Sequence, residues 1–303
     1  MSPGLPLIVV TLSNIGDAVM TTPVLETLAA RYPASRIDLI ADQRSSAIFA
    51  AAPWVGAIHH RDKRAGLAQQ WRQLRELRRQ RYALAVDLRT PIIGRVLNAE
   101  RRLTKRGGEL PDTHAVVEHF AVLEPLVGAL APPPCRVHLD AAAVAEAAAL
   151  TQALPAGRWL AIAPGANWPG KRWRPAAFAA LARRVASHFD ALLVLGGPDD
   201  MAAAAALSDV PLPRLDLAGR TGLPLAAAVL ARAAAFVGND SGLGHLAAAL
   251  DVPTLTVFGP GRPVRYRPWG PRARIVLAPG ADLARLAPEA VADALLALLA
   301  ESA

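Results

Sequence analysis

Thiols are almost missing from this 303-residue chain: Cys135 is its one cysteine. That excludes an internal disulfide framework and a thiolate zinc cluster, and it suits a reducing compartment. Aromatic residues are scarce as well, at 5%. No basic stretch is interleaved with them and zinc-finger spacing is absent, so nucleic acid is not an expected partner. Long apolar runs are lacking too. The stretch from Leu225 to Val237 is interrupted by Arg232, and no run reaches the roughly 18 to 20 residues of a membrane span. The opening decapeptide, MSPGLPLIVV, has no basic segment ahead of its apolar run. A cleaved signal is therefore not expected, and a cytosolic location is. Three catalytic signatures are missing: H-E-x-x-H, the G-x-S-x-G elbow and an acidic D-x-D pair. Neither a metal site nor a cofactor is expected.

What is present points to a folded α/β protein. Hydrophobic residues make up 53% of the chain and charged residues 19%, the balance of a globular protein with a sizeable core. The net charge of +8 favours an acidic partner, whether nucleic acid, an anionic membrane face or a phosphorylated small molecule. Short apolar runs bounded by turn residues predict buried strands at Leu7 to Leu12, Ile37 to Ala41, Ala83 to Leu88, Trp159 to Ala163, Ala191 to Leu195, Ala235 to Val237 and Thr254 to Phe258. Helical patterns lie between most of them, for example Val24, Leu25, Leu28 and Tyr32, which is the alternation of a parallel sheet. It pauses between Ala131 and Gly157, where PPPC and an alanine-rich segment intervene. Two Rossmann-like domains are expected, 1–155 and 156–303, with function in the loops that follow strands.

In the first half, RDKRAGLAQQWRQLRELRRQRY sets Leu67, Trp71, Leu74 and Leu77 on one stripe of a basic amphipathic helix. It reads either as an outer helix packed on the sheet or as a surface drawn to anionic lipid headgroups. Arg101, Arg102, Lys105 and Arg106 add a second basic cluster.

Three turns carry the residue types of a phosphate or sugar site. In GNDSGLGHLAAAL, residues 238 to 250, a strand feeds a helix with Asp240 or Ser241 at its N-cap. Gly242 and Gly244 keep the approach open, and the unpaired amides and partial positive charge of the helix start can accept a phosphate. A simply well-capped helix accounts for the same residues. The segment from Gly242 to Ala247 matches the loose G-x-G-x-x-A dinucleotide pattern, but the acidic residue expected after the next strand is missing. In APGANWPGKRW, residues 163 to 173, Gly165 and Asn167 offer backbone donors, and Lys171 can neutralise a diphosphate or remain a solvated loop charge. In NIGDAVMTTP, residues 14 to 23, Asp17 is either a general base or a helix cap. Pro23 starts the regular helix, so Asp17 is expected on the preceding loop or irregular turn. Among the histidines, His245 sits one turn into the cradle helix, and His114 follows a basic loop, where it either faces a cleft or packs.

Taken together, NIGDAVMTTPVLETLAARYP, APGANWPGKRWRP, GGPDD and GNDSGLGHLAAAL resemble the bacterial lipopolysaccharide heptosyltransferases, glycosyltransferase family 9. The resemblance runs over most of the chain in the right order, and its GANWPGKRW loop is closer to the second inner-core type than to the first. It implies a GT-B fold, two Rossmann-like domains with parallel sheets facing across a cleft. It also implies an inverting transfer of heptose from ADP-heptose to an anionic, lipid-linked core oligosaccharide, at the cytoplasmic face of the inner membrane. By the same resemblance Asp17 is the general base. Lys171 holds the donor diphosphate with backbone help near Gly165 and Asn167, while Asp240, Ser241, Gly242, Leu243 and His245 contact the donor's phosphates and sugar. The nucleotide base falls near Gly196 to Asp199. Gly16, Thr21, Arg89 and His114 are candidate acceptor contacts. Lysine and helix-start dipoles would stabilise the leaving ADP without a metal. Two other readings remain: a sugar-nucleotide epimerase of the same fold, and a nucleotide-sugar-binding protein without turnover.

Overall fold

Apolar runs with no polar face must be covered on both sides, which a parallel sheet between helices provides. In the computed structural model, which describes residues 4–61, 66–89, 91–105, 107–110 and 112–301, those runs are the interior of two such sheets. The first holds β1 (Leu7–Val10), β2 (Ile37–Ala41), β3 (Val55–His60), β4 (Tyr82–Asp87) and β5 (Ala99–Thr104) in the order β3-β2-β1-β4-β5. The second holds β6 (Trp159–Ala163), β7 (Ala191–Val194), β8 (Arg214–Asp216), β9 (Ala235–Asn239), β10 (Thr254–Phe258) and β11 (Ala273–Leu277) in the order β11-β10-β9-β6-β7-β8. Every pairing is parallel, as in Val10 opposite Asp87 and Ala163 opposite Gly238. Of the sequence features named above, residues 1–3 of the opening decapeptide, residues 62–65 of the basic segment, Arg106 and the Leu67 side chain lie outside the described residues.

All seven expected strands form. β1 ends at Val10 rather than Leu12, and β9 runs on to Asn239 rather than stopping at Val237. Four more strands, β3, β5, β8 and β11, have no continuous apolar run, and each is an edge of its sheet. Their exposure alternates irregularly, as in β5, where Arg101 and Arg102 face solvent. β4, in contrast, is buried throughout.

The chain divides into two compact units, Met1–His138 and Leu139–Ala303. The division therefore comes earlier than the boundary expected near residue 155. The reason is the Ala141–Thr151 helix, capped by Asp140 through a bond from the Ala143 amide at 2.9 Å. It packs against the Leu223–Leu230 helix of the second unit. The first core joins Ile8, Val10, Ile40, Tyr82 and Ala85 with Leu77 of the Leu67–Leu77 helix. The second gathers Ile162, Trp173, Phe178, Val194, Val237 and Leu255 with Leu295 of the Pro288–Glu301 helix.

After β1 the backbone closes a short helix, Ile15–Val19, and then starts a second, Thr22–Arg31, with Pro23 in its first turn. Proline is tolerated there because first-turn amides lack intrahelical acceptors anyway. Asp17 thus stands in the first turn of the short helix, not on a loop.

Candidate active site

At the carboxyl end of the second sheet, β9 ends in Asn239, a polar side chain with no solvent exposure. Its Oδ1 accepts the Trp173 amide at 2.9 Å, and its Nδ2 donates to the carbonyls of Pro164 at 2.7 Å and Gly165 at 3.3 Å. One amide therefore ties both ends of the loop after β6. The buried Trp173 indole holds the far end, donating to the Leu286 carbonyl at 3.2 Å and meeting Phe178 edge-on with centroids 4.9 Å apart. Arg172 Nε closes the loop on itself through the Ala166 carbonyl at 2.8 Å. Asn167 and Trp168, between these ties, are exposed.

Lys171, on the last turn of this loop, pairs its ammonium with Oδ2 of the buried Asp240. Two glycines make room for the arrangement. A Cβ on Gly261 would lie 2.7 Å from Asp240 Oδ2, and one on Gly165 would lie 1.9 Å from the Asp200 carboxyl carbon. Asp200 in turn accepts the Gly197 amide at 2.9 Å, so the GGPDD turn after β7 is fastened to the Gly165 backbone by close packing.

Ser241 is the N-cap of the Gly242–Ala249 helix, and no side-chain hydrogen bond caps that helix. The Gly244 amide already donates to the Ser241 carbonyl at 3.2 Å. At the Gly242 and Leu243 positions ahead of it, the helix start and its aligned peptide dipoles give partial positive charge suited to an anion, beside Lys171 and Asp240. Gly242 and Leu243 are half-buried at this start. His245, one turn into this eight-residue helix, is 5% exposed.

In the first unit, Asn14 Nδ2 donates to Asp17 Oδ2 at 2.8 Å, and the half-buried carboxylate follows Gly16 in the turn after β1. Arg89, after β4, donates from Nη1 to Ser13 Oγ at 3.0 Å, and its backbone amide donates to Asp87 Oδ1 at 3.0 Å. Asp87, fully buried, also accepts the Gly94 amide at 2.9 Å. Burial first, then repulsion from Arg61, pulls the Arg89 pKa below the usual guanidinium value, with Asp42 and Asp87 opposing. A cation crowded by another cation is eased by an incoming anion. Lys105 has a partner already, Glu118, which also accepts the Leu110 amide at 3.1 Å.

Two acceptor candidates are held by backbone groups. Thr21 is fully buried and donates to the Ala18 carbonyl at 2.6 Å. His114 is 5% exposed and caps the Ala115–Phe120 helix, its Nδ1 accepting the Val116 amide at 3.1 Å. Asn239, Asp200 and Ser13 were missed by sequence reasoning. For Asn239 a signal existed, since an amide closing a wholly apolar strand must find partners. Among the described residues no group of three or more His, Cys, Asp or Glu gathers as a metal site, and no helix is long and apolar enough to cross a membrane.

Two parallel α/β units of this kind are the architecture of the GT-B glycosyltransferases. Comparison with known proteins narrows the class. The family model for glycosyltransferase family 9 (heptosyltransferase) matches residues 94–288. Lipopolysaccharide heptosyltransferase 1 of Pseudomonas aeruginosa is 30% identical, over 85% of this chain and 79% of its own. Lipopolysaccharide heptosyltransferase 3 of Escherichia coli is 26% identical, over 84% and 83%. The solved structure of E. coli ADP-heptose lipopolysaccharide heptosyltransferase II superposes with a TM-score of 0.81 at 24% identity, covering 98% of this chain and 99% of that one. The chain belongs to glycosyltransferase family 9 and is a glycosyltransferase.

Proposed function

We propose that the chain moves a heptosyl group from ADP-heptose to an anionic, lipid-linked core oligosaccharide with inversion at the anomeric carbon, working at the cytoplasmic face of the inner membrane. The observation that carries this reading is the Lys171–Asp240 pair beside the uncapped start of the Gly242–Ala249 helix. A diphosphate bound there meets one ammonium and the amides at the very start of the helix. Asp240 acts on Lys171 rather than on phosphate, since two anions would repel. Gly165 and Asn167 lend backbone groups from the tied loop, and Ser241, Gly242 and Leu243 form the amide end of the cradle. The GGPDD turn takes the nucleotide's base side.

Asp17 removes the proton from an acceptor hydroxyl. The resulting oxygen attacks the anomeric carbon, the bond from that carbon to the diphosphate oxygen breaks, and ADP leaves with its new charge met by Lys171 and the amides. Asn14 holds the carboxylate for this step. Arg89, released from crowding by an anion, and the Gly16 backbone receive the acceptor. The donor supplies both the electrons of the broken bond and the leaving group, so these residues need no redox partner.

Mixing ADP-heptose with a lipid A–Kdo acceptor should release ADP. Asp17→Asn should lower turnover by about 10²- to 10⁴-fold, the usual worth of a general base, with ADP binding kept. Full turnover in that variant would remove Asp17 from its role, and donor conversion without acceptor would mark an epimerase instead.

A further inference from the structure

The Leu67–Leu77 helix does two different things along its length. Leu77 is buried in the core of the first unit, with Leu74 packed against it, yet Trp71 on the same stripe is 64% exposed. Ile92, on the Pro91–Val96 helix, is 68% exposed. Trp71 and Ile92 flank one open groove of about 210 Å³, whose floor is Ile40, Leu74 and Ile93, with Arg61 at its side. The apolar stripe thus runs out of the core and onto the surface.

Around this opening the described charges are mostly positive. Arg72, Arg75 and Arg78 line a second depression with Trp71 and Leu74. They are exposed, as is Arg79, and no ion pair joins any of the four to a carboxylate among the described residues. Between Trp71 and Arg79 the sole acid is Glu76.

We infer that Trp71 and Ile92, ringed by Arg61, Arg72, Arg75 and Arg78, form a docking surface for an anionic bilayer. The occupant follows from the combination of features. Arginines alone would suit any polyanion, but a duplex offers nothing to an exposed indole and an isoleucine beside an apolar groove. A membrane interface takes the indole at headgroup depth, receives the aliphatic side chain among acyl carbons and attracts the guanidinium groups through its surface potential. The groove extends the apolar contact inward from the surface. This surface stands apart from the transfer chemistry, so its test needs neither donor nor acceptor.

Flotation of the whole chain with vesicles checks it. The chain should float with phosphatidylcholine–phosphatidylglycerol vesicles, stay in solution with phosphatidylcholine alone, and be released by raised salt. Each arginine near a charged bilayer contributes on the order of a fivefold gain in partitioning. Combined Arg72→Gln, Arg75→Gln and Arg78→Gln should therefore lower partitioning by about a hundredfold. Trp71→Ser with Ile92→Ser should lower it by about tenfold or more at unchanged salt sensitivity. Both variants change exposed side chains, so their melting temperatures should match the parent's. Flotation that is absent in the parent, equal on neutral vesicles, or undiminished in the Trp71 and Ile92 variant would overturn the assignment. So would binding of a DNA duplex that competes fully with anionic vesicles and survives the Trp71 and Ile92 changes.

Discussion

Cys135 shows how a residue can be named correctly from composition while its behaviour depends on surroundings. Burial pushes its thiol from 9.0 up to about 12, with a hydrogen bond to Thr22 working the other way. The folded chain therefore holds this proton more tightly than the unfolded one. Its stabilising contribution is complete below the unfolded thiol's pKa and is lost as pH rises through the folded value. Tyr82, raised to about 12 chiefly by burial and then by Asp38, acts in the same direction. Iodoacetamide at pH 8 should leave the native chain unmodified and alkylate it fully in guanidinium. The melting temperature should fall with rising pH above about 9, and less so in Cys135→Ala. Rapid alkylation of native protein would show the thiol to be exposed.

Among the elements, the loop after β6 depends most on a single side chain. Asn239 satisfies three backbone groups that the sheet leaves without partners. Asn239→Ala should cost about 2 to 4 kcal/mol, the price of burying several unmatched polar groups. It should also raise the KM for donor more than it lowers kcat, because Lys171 would lose its placement but not its charge. Urea unfolding and steady-state kinetics together check this. A stability loss with unaltered KM would mean that the loop holds its shape without the amide.

For the whole molecule, each of the two units has its own sheet and its own core. Under the proposed reading ADP binds only the folded second unit. At about 100 times its dissociation constant it should add about 2.7 kcal/mol and raise the melting temperature by a few degrees. Lys171→Gln should abolish most of that rise, since the ammonium is the full charge facing the diphosphate. An equal rise in the variant would place the nucleotide elsewhere.

The interior strands were legible because burial on both faces demands unbroken apolar runs, such as WLAIA in β6 and AFVGN in β9. The edge strands were not, because β3, β5, β8 and β11 are half in solvent and their residues answer to neighbours distant in sequence. The site divides in the same way. NDSGLGH and GKRW stood out as a glycine-opened turn and a basic loop after strands, while their roles came from the family resemblance. That Thr21 bonds a carbonyl and His114 caps a helix could not be read from sequence, since a hydroxyl and an imidazole look alike whatever they face. Sequence alone determined the alternation, the glycine-opened turns and the excess of positive charge. Packing decided which polar groups would be consumed by the backbone and which left available, because burial and partner distance belong to chain segments that meet only in three dimensions.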